Sequence, residues 1–403
     1  MKKLFLLILS VIISLSSLVL FSACSEKGTD GLHYQKISGK EEYQVIGIGT
    51  ASELDIIIPN KYNGLPVTKI ADSAFKGCAN IESVHISGNV EIVGDWAFAE
   101  CKSLRKVSFS KGTKIVGDRA FSECKNLSEV NFPDGLEKIE STVFVDCTSL
   151  KSIHIPNSVE EIGSQLFHGC TNLNEIVLSN KITKIPHGIF YKCEKLNSID
   201  IPESVTIIEN SAFMYCKGLE ELTLGKEIDL IESGSTFLGC EKLTVINVSE
   251  ENLKYISIDG ILYDKQKTTL IQYPMNKKDN SYIMPDTISE ACEYSMYGNK
   301  FLEKISLSKT LTRIGPRALG DIENITELTI PASVTIIGPG AFLGCTKLNS
   351  LLFETPDGWG KHETEDKKFC SISGSNFSDP KQAVYRFVES EKNIPGWWIR
   401  DTK

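Results

Sequence analysis

Phenylalanine recurs at Phe75, Phe98, Phe121, Phe144, Phe167, Phe190 and Phe213, each 23 residues after the last, and then at Phe237 after 24. This period restricts the fold more than any other property of the chain. A unit so short cannot bury its own apolar side chains, so it is stable only when stacked on copies of itself. The spacing resumes at Met296, Leu319 and Phe342, and the gap of 59 from Phe237 to Met296 places a 36-residue insertion in one repeat. Further apolar columns keep step with the anchors: Ile81 to Leu348 six residues on, Val84 to Leu351 nine on, and Ile86 to Phe353 eleven on. The last two enclose one polar residue and are followed in several rows by proline (Pro133, Pro156, Pro202, Pro331), which reads as a short strand closed by a residue that cannot donate to a ladder. A later apolar pair, such as Val159 and Ile162, marks a second strand, and glycine often follows it, as at Gly94, Gly117 and Gly163. The expected fold is a β-rich solenoid of short parallel strands and short helical turns. Roughly eleven coils at ~4.8 Å spacing would form a curved rod about 50 Å long.

The row Ile153-His154-Ile155-Pro156-Asn157-Ser158-Val159-Glu160-Glu161-Ile162-Gly163, followed by Leu166-Phe167-His168-Gly169-Cys170-Thr171-Asn172-Leu173, resembles the BspA-type leucine-rich repeat, and similar rows cover residues 56 to 353. The resemblance implies a surface protein that adheres to host or neighbouring-cell proteins. Within the insertion, at about 250–281, Tyr255 to Tyr263 and Thr268 to Pro274 read as a hairpin turning near Asp264 to Lys267, expected to project from the rod.

The solenoid is assigned to residues 31–353, and its open ends need covers because they expose apolar ladders and strand edges. Residues 31 to 70 supply an irregular first coil, with Ile56-Ile57-Ile58-Pro59 as a strand and Lys61 to Pro66 as a longer turn. Residues 354–403 carry Trp359, Trp397 and Trp398 with Phe377, Tyr385 and Phe387, and are expected to fold over the last coil. At the other extreme, Lys2 and Lys3 precede an apolar run from Leu4 to Leu20 and then Phe21-Ser22-Ala23-Cys24. Ser22 and Ala23 before Cys24 resemble the lipobox of bacterial lipoproteins, which implies a signal peptide over 1–23, lipidation of Cys24, and an extracytoplasmic protein held to the cell envelope by that lipid. Residues 24–30 would be a polar tether.

The composition, 41% hydrophobic and 24% charged, is that of a folded globular chain, and the net charge of -9 leaves no basic stripe to hold nucleic acid. Nine of the twelve cysteines stand three residues after an anchor, from Cys78 to Cys240 and at Cys345. Neighbours in such a ladder would be close enough to bridge, but parallel Cβ vectors disfavour the disulfide dihedral, so buried free thiols behaving as small hydrophobes are expected. Asn299 and Ile322 interrupt the column, which a metal or disulfide scheme would not readily allow, and zinc-ligand spacings are missing. HExxH, GxSxG, Walker and GxGxxG patterns are also missing, so no catalytic residue, metal or cofactor is expected. The acidic run at His362 to Asp366 reads as a solvated loop.

The residues facing outward from the first strand are the candidate ligand face: His85, Lys106, Ser108, Glu129, Asn131, Ser152, His154, Glu175, Asp200, Glu221, Thr223 and Asn247. Short polar groups at these positions can pair with an extended protein surface, whereas carbohydrate platforms usually need aromatic rings, which this stripe lacks. The stripe is equally compatible with plain solvated sheet. An alternative function, glycan capture or hydrolysis, would have to place its site in the hairpin or the C-terminal tail.

Overall fold

The computed structural model describes residues 27–232, 234–362, 365, 370–375, 377–389 and 396–400. The signal segment and Cys24 lie outside them. Most coils contribute one short strand to each of two parallel ladders. In the first, Ser83–Ile86, Lys106–Phe109 and Glu129–Asn131 stack in register, with Val84 opposite Val107 and Val107 opposite Val130. In the second, Ile92–Val93, Ile115–Val116, Lys138–Ile139 and Glu161–Ile162 do the same. The alternation predicted from the apolar columns is present in the first ladder, where Leu222 and Leu224 are buried while Glu221 and Thr223 are exposed.

The third side differs from expectation. Among the described residues of the solenoid, only Gly234–Phe237 forms a helical turn, a 3-10 one. Elsewhere this side is a chain of tight turns, hydrogen-bonded from coil to coil: Phe75 N–H donates to Ala97 O (2.7 Å), Phe98 to Ala120 (2.8 Å) and Phe121 to Val143 (3.1 Å). These bonds require left-handed backbone two residues either side of the anchor, as at Trp96 (φ 59°), Glu100 (63°), Arg119 (54°) and Glu123 (59°). Each such non-glycine residue costs on the order of 1 kcal/mol, a strain that persists because the neighbouring coils fix the backbone.

Inside, the anchor rings stack face to face with centroids 4.9 Å apart for Phe75/Phe98, 5.8 Å for Phe144/Phe167 and 6.1 Å for Phe213/Phe237. The insertion corrects the sequence reading in two ways. Tyr273 occupies the anchor position of an additional coil, since its N–H donates to Ser295 O (2.6 Å) as Phe75 does to Ala97, and Met296 follows it by 23. The extra length therefore belongs to one coil of 36 residues. Nor does it project. Tyr255–Ile258, Ile261–Asp264 and Thr269–Gln272 form an antiparallel meander, the last strand joining the second ladder beside Glu290–Ala291. Leu262, Tyr263 and Leu270 are buried, so the meander is packed into the rod. The turn expected near Asp264 is present, with Asp264 Oδ1 accepting from the backbone of Thr268 and Thr269. A second, tighter turn at Asp259-Gly260 (φ 51° and 79°) has the positive φ at both central residues of a type I′ hairpin.

Both ends are closed. At the N-terminal end His33–Lys36 and Tyr43–Gly47 form a hairpin that continues the second ladder through Leu65–Ile70, and Asp55–Ile58 opens the first. The longer turn expected over Lys61 to Pro66 is instead a tight hairpin around Asn63-Gly64. The end of the tether is tied down, because Ile57 N–H donates to Thr29 Oγ1 (2.8 Å) and Thr29 N–H to Ile57 O (3.0 Å). At the other end Trp397–Arg400 runs antiparallel to Ile336–Ile337 and pairs with Trp359–His362. Phe353, Trp359, Phe377, Phe387 and Trp398 close over the last coil with centroids 5.1 to 6.3 Å apart. Trp359 and Trp398 are thus core residues of the cap, and the glycan-stacking role considered for the tail has no exposed ring at Trp398.

Candidate functional site

The outward residues of the first ladder lie where the two-residue strand period requires. Two columns run along the rod. Ser83, Lys106 and Glu129 are successive in one, and His85, Ser108 and Asn131 in the other. Further along, Ser152 stands opposite Glu175, His154 opposite Val177, and Thr223 opposite Asn247. Residues 198–201 carry no assigned strand, yet Ile199 is buried and Asp200 exposed as in the other coils. The structure therefore brings all twelve candidate residues onto one face.

The two ends of that face differ in chemistry. Towards the N-terminal end the groups pair with one another: His85 Nδ1 lies 2.9 Å from Ser108 Oγ and Nε2 3.1 Å from Ser110 Oγ, and Lys106 Nζ is 2.8 Å from Glu129. Asn131 Nδ2 donates to Glu129 Oε1 at 2.7 Å. The Lys106 hydrogen bond, opposed by partial burial and helped by Asn131, holds the Glu129 carboxyl below its usual pKa. Beyond Asn131 the face carries exposed His154, Glu175, Asp200, Glu221, Thr223 and Asn247, with exposed Val177, Ile283 and Leu352 as apolar points.

The cysteine column has a role that the sequence did not indicate. Cys101, Cys124, Cys147, Cys170, Cys193, Cys216 and Cys240 are buried and free, and each Sγ donates to the carbonyl of the anchor in the preceding coil, at 3.1 to 3.2 Å. Burial pushes the Cys147, Cys193 and Cys216 thiols well up and Cys240 up to about 12, the opposite of an activated nucleophile. Asn299 caps carbonyls of the preceding coil with an amide, though not that of the anchor Tyr273: Nδ2 donates to Pro274 O (3.2 Å) and Lys277 O (2.9 Å), and Oδ1 accepts from the N–H groups of Phe301 and Leu302. Among the described residues no three His, Cys, Asp or Glu side chains gather as a metal site would need.

Aromatic groups do reach the surface, on the turn side. His168 stacks on Tyr191 (4.5 Å, 16°), Tyr191 meets Tyr215 edge-on (5.6 Å), and Trp96 lies between Lys76 (4.2 Å) and Arg119 (4.6 Å). Their signal in the sequence was an aromatic or histidine one or two residues from an anchor, which the strand-centred reading passed over.

The model of the BspA type leucine-rich repeat region matches residues 68–195, 160–278 and 275–357. The chain belongs to this family. Its architecture is also that of a leucine rich cell surface protein from Faecalibacterium prausnitzii (21% identity, TM-score 0.59, covering 83% of this chain and 96% of that one). A leucine-rich repeat protein from Bacteroides ovatus is similar in the same way (21% identity, TM-score 0.54, 81% and 88%). At such identities the likeness concerns the fold alone. No curated protein matches the sequence.

Within this BspA-type rod the second ladder is interrupted between Ile162 and Lys184. Gly163 N–H donates to Ile139 O (2.9 Å) and Glu209 N–H to Ile185 O (2.9 Å), but the residue at that position between them is Pro186, which has no N–H. The gap coincides with a shallow groove lined by Lys138, Glu160, Glu161 and Lys184. Its charges are paired: Lys138 lies 3.1 Å from Glu140 and from Glu161, and Lys181 2.8 Å from Glu160. No helix among the described residues is long and apolar enough to cross a membrane.

Proposed function

We propose that this BspA-type protein is a non-catalytic, lipid-anchored component of the cell surface whose first-ladder face binds an extracellular or host-surface protein. The observation that carries the reading is the division of that face: a self-paired end at His85 to Asn131, and an open end where Glu175, Asp200 and Glu221 are exposed. Exposed carboxylates gathered on one face suit a basic or amide-rich protein surface, because opposite charge steers the encounter and fixes its register. Tyr263 in the meander and Trp359 and Trp398 in the cap are buried, which leaves half-buried Trp397 and exposed Tyr385 as the tail rings on which the glycan-capture alternative would have to rest.

Capture of extracellular-matrix and cell-surface proteins by purified residues 25–403 tests the binding claim. The variant E175K/D200K/E221K should lose at least about tenfold in affinity, the equivalent of ~1.4 kcal/mol. Retained capture by that variant, together with loss on Y191A/Y215A, would move the site to the turn side. Anchoring is tested separately: Cys24→Ala should release the protein from the membrane fraction, and unchanged fractionation would remove the lipid from the account.

A further inference from the structure

The column immediately before each anchor is aliphatic from Ala74 to Ala212 and again at Ala318 and Ala341, but three successive coils between them carry Thr236, Gln272 and Ser295. These three are 0%, 2% and 0% exposed. Thr236 Oγ1, Gln272 Oε1 and Ser295 Oγ each lack a protein hydrogen-bond partner. They occupy one column in successive coils. The strand Thr269–Gln272 packs against the turn Gly234–Phe237, and Gln272 Nε2 donates to Tyr273 O (2.9 Å) and Ser295 O (3.4 Å), which turns Oε1 away from those carbonyls. This is also where the hydrophobic core divides: one cluster ends with Ile246, Tyr255 and Leu262, and the next begins with Ile261, Tyr263 and Leu270.

We infer that this joint is a buried hydration site, in which water bridges Thr236, Gln272 and Ser295 between the two halves of the core. The count of donors and acceptors closes for water. Two hydroxyls can donate to its lone pairs, and it can donate to Gln272 Oε1, leaving one proton for a backbone carbonyl. A divalent cation fits poorly, because the three oxygens are neutral and would not offset its dehydration. An isolated buried polar atom is a cost that alanine, present in the same column elsewhere, would remove, so three together mark a shared partner. The inference is independent of the binding face.

The test uses the purified chain. Thr236→Val and Ser295→Ala, made singly, each remove one partner of the water and should lower Tm by about 2 °C. The triple variant T236V/Q272L/S295A expels the water and should recover part of that loss. Single variants that raise Tm would show three dry, unsatisfied groups and overturn the proposal. A Tm of the unaltered protein that falls when sodium and potassium are replaced by choline would also overturn it, by identifying a cation. Should a variant fail to fold, the unaltered protein still decides the matter. A crystallographic water within hydrogen-bond distance of at least two of the three oxygens supports the site, and a dry cavity there refutes it.

Discussion

The coils from Phe75 to Phe237 and those from Tyr273 to Phe342 use one backbone and two different fillings. In the first run every anchor is phenylalanine and every ring stacks on the next, with cysteine three residues on. In the second the anchors are Tyr273, Met296, Leu319 and Phe342, and the cysteine column reads Asn276, Asn299, Ile322 and Cys345. Yet Met296 N–H donates to Ala318 O (2.8 Å) and Leu319 to Ala341 (2.9 Å), as Phe98 does to Ala120. The coil-to-coil backbone bonds are common to both runs, so they define the fold, while ring stacking is one way among several of filling the volume they enclose.

The sharpest difference between the two runs lies in their thiols. Burial raises Cys147, Cys170, Cys193, Cys216 and Cys240 in the first run above the ordinary 9.0, whereas the second has only Cys345 in this column. A thiol raised in the folded state contributes its full stability below pH 9, the unfolded value. Above it the unfolded chain ionises while the folded thiol stays neutral, so stability falls as pH rises. The loss is on the order of 1.4 kcal/mol per thiol for each pH unit. The urea midpoint of the whole chain should therefore drop steeply above pH 9, and replacing Cys147, Cys193 and Cys216 by alanine should flatten that slope. An unchanged slope would mean that the column is not buried as described.

Next in size are the anchors. Phe144→Ala should cost ~3–5 kcal/mol and Leu319→Ala ~2–5 kcal/mol, measured by chemical denaturation. If ring stacking is only filling, the two differ by no more than the ~0.5–1.5 kcal/mol an aromatic pair adds beyond its buried area. A much larger gap would make the phenylalanine ladder the essential element of the first run.

The sequence disclosed whatever is repeated in side-chain chemistry. Phenylalanine, leucine and valine columns gave the period and the two strands, and strict alternation put the twelve face residues on one side of the first ladder. It concealed what is repeated only in the backbone. Trp96, Arg119, Thr142 and Gln165 share the left-handed turn position and no chemical property, so the third ladder left no column to find. Tyr273 was legible in principle, since Tyr282, Met284 and Ile288 follow it at 9, 11 and 15 residues as Val84, Ile86 and Val90 follow Phe75. The long coil before it, and a change from phenylalanine to tyrosine, disguised the register. The Asp259-Gly260 turn, a standard hairpin signal, split what had been read as one strand.

The carbonyl-capping column gives a smaller contrast. Asn299→Ala would leave Lys277 O and the N–H groups of Phe301 and Leu302 without their partner, while Pro274 O still accepts from Lys277 N–H (3.2 Å), a loss of ~2–3 kcal/mol. Cys170→Ala removes one weak S–H donor from Phe144 O, which still accepts from Cys147 N–H (3.1 Å), and should cost about 1 kcal/mol. Equal losses would deny the amide its larger role.

The smallest effect has the opposite sign. Glu123 holds φ at 59° so that its N–H can reach Val145 O (2.7 Å), a conformation that glycine adopts without the Cβ penalty and that Gly77, Gly169 and Gly239 already supply in their own coils. Glu123→Gly should therefore raise the unfolding midpoint slightly, by up to ~1 kcal/mol, although glycine also loosens the unfolded chain. Ala120→Gly, three residues away in the same turn and outside the left-handed set, should lower stability by about the same amount. If both variants are destabilising to the same degree, the turn side holds no backbone strain, and the coil-to-coil bonds of the third ladder form without opposition.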